Sequence, residues 1–175
     1  MDSDIDPGYR EIKGRRWRIS DPSIPEPLRQ QLVNELMSAR RAVAAANRTS
    51  NAIALRTARR RVQSAKTALG ERGPKWWRPM SDQEWTVRAT ATLFSLLNNR
   101  QANASLCPSE VARASDGRHW RKRMPDVRLL AEEMTHTARL CITCRGEPVS
   151  ISTRGPIRLA RGERFDDYFS GDNDA

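Results

Sequence analysis

Long apolar runs, cysteine, histidine and aromatic side chains are all scarce in this chain of 175 residues. No stretch approaches the roughly 20 apolar residues that a membrane-spanning helix needs. The N-terminal stretch includes Asp2, Asp4 and Asp6, which is the opposite of the basic start of a signal peptide. These absences predict a cytoplasmic protein with no membrane partner.

Enzyme motifs are missing as well. The sequence contains no P-loop, dinucleotide fingerprint, serine nucleophile elbow or metalloprotease helix. Its two histidines, His119 and His136, have no carboxylate at a useful spacing. Cys141 and Cys144 form a CxxC, but residues three apart in a strand point to opposite faces, so they share an ion only if a turn separates them. We predict no catalytic residue, no cofactor and no metal site, with Cys107, Cys141 and Cys144 reduced.

What the chain has in excess is positive charge. The formal net charge is +10, and its positive part lies before Phe165, because the tail from Phe165 to Ala175 has acidic residues but no Lys or Arg. A balance of this size raises the local concentration of polyanions. Nucleic acid, with DNA favoured over RNA, is therefore the expected partner, and a protein partner or a second copy is the alternative.

The N-terminal module, 1–75, is predicted to be a small hairpin followed by a basic helical hairpin. Bulky residues flank Lys13-Gly14 within the segment 9–19, which is typical of two short strands and a tight turn. Apolar residues then recur at helical spacing from Leu28 to Ala46 and again from Leu55 to Leu69. Ser50 is the expected N-cap of the second helix and Gly70 its expected stop. The segment 76–81 forms the predicted linker between two modules.

The segment 82–162 predicts a second module of three helices and a small sheet. Ser81 and Glu84 have the spacing of a capping box, and Val87, Phe94 and Leu97 lie on the expected apolar side. A second helix is expected from Pro108, and a third from 121–125 onwards. Strands are expected at 139–143, 149–151 and 157–159, with a turn at 145–148. This order is that of a winged helix, so we predict a mainly α fold with a small β-hairpin.

A resemblance to known families rests on short stretches of sequence. The stretches "CPSEVAR", "MPDVR" and "RGPIRL" resemble an uncharacterised bacterial family, a domain of unknown function with a winged-helix-like fold, over positions 85–161. The segment 1–80, with "RRWRISDPSIPEPLRQQLVNELMSARRAV", resembles short bacterial proteins labelled as Tol-type biopolymer transporters. The first resemblance implies a fold but no activity, and the second implies a role in the cell envelope.

The candidate nucleic-acid contacts in the second module are basic residues outside the predicted apolar faces. At the N-terminal entry of the third helix, backbone donors and the helix dipole favour phosphate. Further along that helix, most outward positions do not suit DNA, and an exposed Leu129 beside two glutamates favours a protein contact instead. Arginines of the hairpin could contact the backbone as a wing, or be only a solvated turn. The residues are Arg118, Arg121, Lys122, Arg123, Arg128, Arg145, Arg154 and Arg158.

A second basic surface is expected on the first module, from Arg15, Arg16, Arg56 and Arg60. A solvated helix face explains the same pattern. Such contacts position a protein on phosphates without specifying a sequence, so an accessory role in transcription or in the nucleoid is the predicted function. In the alternative, a protein-interaction adapter docks a partner through Leu129 and the tryptophan-rich segment 70–81. The tail, 163–175, is expected to be acidic and flexible.

Overall fold

A computed structural model describes residues 6–153 and 155–171 and begins with the expected hairpin. Strand β1, Tyr9–Ile12, pairs antiparallel with β2, Arg15–Arg18. The turn residues Lys13 and Gly14 both have positive φ, 50° and 72°. Two such residues in succession match the right-handed twist of the flanking strands, which is why Lys-Gly is accepted here.

Two long helices follow and form an antiparallel pair. Helix α1, Glu26–Arg48, and helix α2, Ala52–Ala68, bury apolar positions that helical spacing predicts, including Leu32 and Ala65. Ser50 is not the N-cap of α2, because its φ is 50° and the side chain of Asn51 accepts the hydrogen bond from Ala54 N instead. Gly70 does follow the end of α2, with φ of 78°.

Helix α3, Asp82–Asn99, is the central element. The capping box of Ser81 and Glu84 is present at its start. Beyond its first turns nearly every side chain is buried, since α1, α2 and the following helices pack around it. Val87 is an exception to the predicted apolar side, because it is 52% exposed while Trp85 and Arg88 are buried.

The elements after α3 include a four-stranded antiparallel sheet and two helices. Strand β3, Ser105–Leu106, comes first, followed by α4, Pro108–Ser115, and α5, Met124–His136. Then follow β4, Leu140–Cys144, β5, Glu147–Pro148, and β6, Arg158–Arg161. The strand order is β3-β6-β4-β5.

Three details of this sheet differ from the sequence prediction. Strand β5 pairs with β4 at Glu147 and Pro148, within the segment 145–148 that is expected to be a turn. Strand β3 is an addition, because two residues carry no alternation that a sequence pattern could detect. The strand expected at 149–151 is absent. Val149 N still donates to Ile142 O, but Ser150 Oγ then accepts from Ser152 N and turns the chain.

The C-terminal segment, expected to be a flexible tail, is packed over positions 163–171. Helix α6, Asp167–Ser170, carries Phe169 into the core, where Phe169 and Phe165 are only 2% and 3% exposed. The Tyr168 ring stacks on Phe94 of α3 with 3.9 Å between centroids. Burial of these aromatic rings outweighs the acidic character that suggested mobility.

One buried cluster joins both predicted modules. It includes Leu32 of α1, Leu69 after α2, Phe94 of α3, Leu130 of α5 and Leu159 of β6. The segment 76–81 therefore connects elements that share a core and does not separate two cores. None of the helices in the described part of the chain is long and apolar enough to cross a membrane.

Candidate nucleic-acid interface

The connection between α4 and α5, positions 116–123, is here called the basic turn. It is a run of short turns closed by local backbone bonds such as Lys122 N to His119 O, 2.9 Å. Arg118, Arg121 and Lys122 lie on it outside the core. Arg121 lies over the Trp120 ring, with its guanidinium carbon 4.5 Å from the ring centroid. The turn therefore presents three accessible cations immediately before the N-terminus of α5.

Arg123, predicted with them, has a different role. Its guanidinium donates to three carboxylates, those of Asp82 and Asp126 at 3.0 Å and that of Asp116 at 3.3 Å. It also lies over the Trp85 ring. Burial lowers the pKa of Arg123, but these hydrogen bonds outweigh it and the pKa is raised. This arginine ties the starts of α3 and α5 to the end of α4, and it is already neutralised.

The outward face of α5 offers little to a base edge. Arg128 is half-buried, and Leu129 is 60% exposed. Val127 and Leu130 face the core, as expected. One half-buried cation beside carboxylates cannot read a major groove, so contacts from this region are limited to phosphates.

The three arginines predicted for the wing have different environments. Arg145 is exposed at the tip between β4 and β5, with φ of 53° and Gly146 next to it at 92°. Arg158 on β6 donates to Ser105 Oγ at 3.1 Å and to Ser105 O at 3.0 Å, so it fastens β6 to β3. Arg154 lies outside the described residues. Arg145 is thus the wing cation that is placed to meet a backbone phosphate.

The basic residues of the first half lie in two places. Arg15 and Arg16 are exposed on β2, and Arg16 lies over the Tyr9 ring. Arg56 and Arg60 are exposed on α2, where they line a groove formed by that helix alone. The described contacts do not bring Arg56 or Arg60 to the basic turn.

A cavity of about 510 Å³, here called the junction cavity, opens beside the basic turn. Its walls come from the segments 21–23 and 76–80, from residues 116–119, 122 and 123 of the basic turn, and from Arg88. Two glycines allow the close approach. A Cβ on Gly117 would lie 2.6 Å from Ser23 O, and one on Gly70 would lie 2.7 Å from Trp76 Cδ1.

The buried base of this cavity is an ion pair that sequence reasoning missed. Arg88 Nη2 donates to Asp21 Oδ2 at 2.7 Å, and the two side chains are 1% and 5% exposed. The other oxygen, Asp21 Oδ1, accepts from Ser23 N and Ser23 Oγ. Burial lowers the pKa of Arg88, and Asp21 opposes that shift. An arginine inside an apolar helical stripe has no signal in one sequence, because its partner is 67 residues away.

The three cysteines lie in two different parts of the fold. Cys141 and Cys144 are both on β4, with no turn between them, and Cys107 precedes α4. All three are free thiols and half-buried. Within residues 6–153 and 155–171, no cluster of three or more His, Cys, Asp or Glu side chains could hold a metal ion.

Comparison with known families is informative for the second half of the chain. Residues 86–162 match the family model described as a protein of unknown function, DUF3253. The DUF3253 segment runs from α3 to the end of β6, close to the predicted 85–161, and this confirms the resemblance to an uncharacterised family. No curated protein matches the chain. The resemblance of the segment 1–80 to Tol-type transporters stays a prediction.

The junction cavity is lined both by residues that match the family model and by residues that precede the match. Arg88 and the basic turn belong to the DUF3253 segment, whereas Asp21–Ser23 and Trp76–Met80 precede it in the chain. The aromatic part of that earlier wall packs against the first hairpin, since Trp76 Nε1 donates to Ile19 O at 3.2 Å and the Trp77 ring meets Tyr9 edge-on. The N-terminal hairpin thus supports one part of the wall of a cavity that the basic turn also lines.

Proposed function

We propose that the protein binds nucleic acid, preferably duplex DNA, through phosphate contacts of a winged-helix-type domain. The observation that carries the proposal is the set of three accessible, unneutralised cations, Arg118, Arg121 and Lys122, at the entry of α5. The order helix, short strand, two helices and three strands over positions 82–161, with β3 and β4 on either side of β6, supports the winged-helix assignment.

The proposed contact surface is smaller than the sequence suggested. It consists of Arg118, Arg121 and Lys122, with Arg145 of the wing. Arg123 and Arg158 are left out because protein groups occupy their guanidinium groups. Four cations of this kind give binding that depends strongly on salt and weakly on sequence. This agrees with an accessory role in transcription or in the nucleoid.

The test is fluorescence anisotropy of random duplex DNA and of an RNA hairpin, titrated with protein over a salt series. In the triple variant Arg118→Glu, Arg121→Glu, Lys122→Glu, we expect affinity for the duplex to fall at least tenfold. The slope of log K against log salt should become shallower by about 0.9 for each lost phosphate contact. Arg123 is kept, because reversing it would place a fourth carboxylate among Asp82, Asp116 and Asp126.

A matched control changes the net charge by the same amount on α1 and α2. The variant Arg41→Glu, Arg56→Glu, Arg60→Glu alters three exposed arginines away from the basic turn. We expect it to keep most of the affinity. If the control loses as much as the basic-turn variant, binding is a property of net charge or of the α2 surface, and the proposed interface is wrong.

A protein-interaction adapter is the second candidate, favoured by the exposed Leu129. On α5 it stands on the same face as Glu133, and this apolar and acidic pair does not suit a phosphate backbone. In this case Leu129→Ser would abolish association with a partner or with a second copy, as measured by sedimentation. The basic-turn variant would leave that association unchanged.

A further inference from the structure

The junction cavity carries an excess of positive charge that the protein itself does not neutralise. Its two carboxylates are already engaged, Asp21 with Arg88 and Asp116 with Arg123 and His119. Three further cations line it, Arg78, Arg118 and Lys122. Among the described residues, none of these three makes an ion pair or a side-chain hydrogen bond. The cavity is therefore lined by three cations that no described carboxylate of the protein neutralises.

The three cations that line the cavity come from two different segments of the chain. Arg78 lies in the tryptophan-rich segment, and Arg118 and Lys122 lie on the basic turn. A bound anion could thus be contacted by residues of two segments of the cavity wall. A flat basic surface that follows a nucleic-acid backbone contacts it from one side only. Arg88, 1% exposed, is paired with Asp21 and adds no net charge to this set.

The other lining is suited to an organic body. Pro22, Trp76, Pro79 and Met80 present apolar surface beside the cations. The position of Trp76 is fixed by its hydrogen bond to Ile19 O and by its edge contact with Trp77. The volume of about 510 Å³ lies within the range, about 300–1,000 Å³, of sites for small organic ligands.

We propose that the junction cavity binds a small phosphorylated organic molecule, with its phosphate between Arg78, Arg118 and Lys122 and its organic part against Trp76 and Met80. The chemistry required is a phosphate monoester on a compact apolar or aromatic body. A free nucleotide and the phosphorylated end of a nucleic-acid strand both satisfy it. This inference goes beyond duplex binding and stands without it.

The first measurement is isothermal titration calorimetry of the full chain with AMP at low salt, beside adenosine as the uncharged analogue. We expect saturable one-to-one binding of AMP and none of adenosine. Each of Arg78→Ala and Arg118→Ala should weaken AMP about tenfold or more, which is the loss of a charge-assisted hydrogen bond. Arg56→Ala, an exposed arginine of α2, is the control and should leave the affinity unchanged.

Two results would overturn the inference. One is the absence of saturable binding of AMP by the folded protein, with folding checked by circular dichroism. The other is an equal loss in Arg56→Ala, which would mean that AMP responds only to net charge. A 5′-phosphorylated tetranucleotide distinguishes the two kinds of ligand. If it binds more tightly than AMP, the natural ligand is the phosphorylated end of a nucleic-acid strand. If it binds more weakly, the natural ligand is a free nucleotide.

Single variants distinguish the test of AMP binding in the cavity from the test of duplex DNA binding by the basic turn. Arg121 is exposed but does not line the cavity, whereas Arg78 lines the cavity but lies outside the basic turn. We expect Arg121→Glu to weaken duplex DNA and leave AMP unchanged, and Arg78→Ala to weaken AMP most. Binding of AMP without duplex binding would leave the cavity assignment intact and reject the interface.

Discussion

The buried pair of Arg88 and Asp21 gives the sharpest prediction about stability. Replacing Arg88 with Met removes the guanidinium from a site where the side chain is 1% exposed and leaves the Asp21 carboxylate, 5% exposed, without its counter-ion. Breaking such a pair from one side costs about 3–5 kcal/mol, since an uncompensated charge remains buried. Total stabilities of domains are about 5–15 kcal/mol, so the variant should lose about a fifth of its stability or more.

The assay is urea denaturation followed by circular dichroism, with a double-mutant cycle. The variant Arg88→Met, Asp21→Asn contains no buried charge at this site, and its Asn can still accept from Ser23 N. We expect it to regain about half or more of the loss in Arg88→Met, because the unpaired charge is the costly element.

The control is the same substitution in an exposed pair. Arg29 bonds to Glu26 where the two side chains are 39% and 67% exposed, and such a pair contributes less than about 1 kcal/mol. Arg29→Met should therefore be nearly neutral. A loss in Arg88→Met no larger than in Arg29→Met would refute the reasoning that burial gives this ion pair its importance.

Three further predictions concern the tail, the basic turn and acid stability. Phe169→Ala should cost about 3–5 kcal/mol in urea denaturation, whereas a mobile tail would lose nothing. Gly117→Ala should cost about 1–3 kcal/mol and lower the melting temperature, because its Cβ would meet Ser23 O at 2.6 Å. Burial raises the pKa of Glu110, but hydrogen bonds from Arg100 and a backbone N–H outweigh it and lower the pKa, so the wild-type protein should lose stability as pH falls below the ordinary value of 4.5. Glu110→Gln should flatten that loss in thermal melts over the acid range.

Local signals in the sequence were sufficient for most of the secondary structure. The Lys13-Gly14 turn, the capping box at Ser81 and the start of α4 at Pro108 each depend on a few neighbouring residues. Helical spacing found the buried faces of α1, α2 and α5. The predicted N-cap of α2 was wrong because a competing local bond decided the outcome, with Asn51 capping the helix in place of Ser50.

The candidate interface was only partly accessible to such reasoning. Accessibility of Arg118, Arg121 and Lys122 follows from their place in a polar turn. Arg123 has the same sequence context, yet three carboxylates neutralise it, and one of them, on Asp82 at the start of α3, is 41 residues away in the sequence. The number of cations can be read from the sequence. Which of them remain free to contact a phosphate depends on the carboxylates that lie near them in the folded structure.

The sequence by itself determined most of the elements, the net charge of +10 and the likeness of residues 86–162 to DUF3253. These depend on composition and on short-range spacing. Only the tertiary structure decided that both halves share one core, that Phe165 and Phe169 anchor the C-terminal segment, and that Arg88 meets Asp21. Contacts between residues that are distant in the sequence form when the buried faces of different helices and strands pack together. The sequence of one segment therefore does not predict them. The junction cavity, built from three segments of the chain, is therefore a property of the folded protein alone.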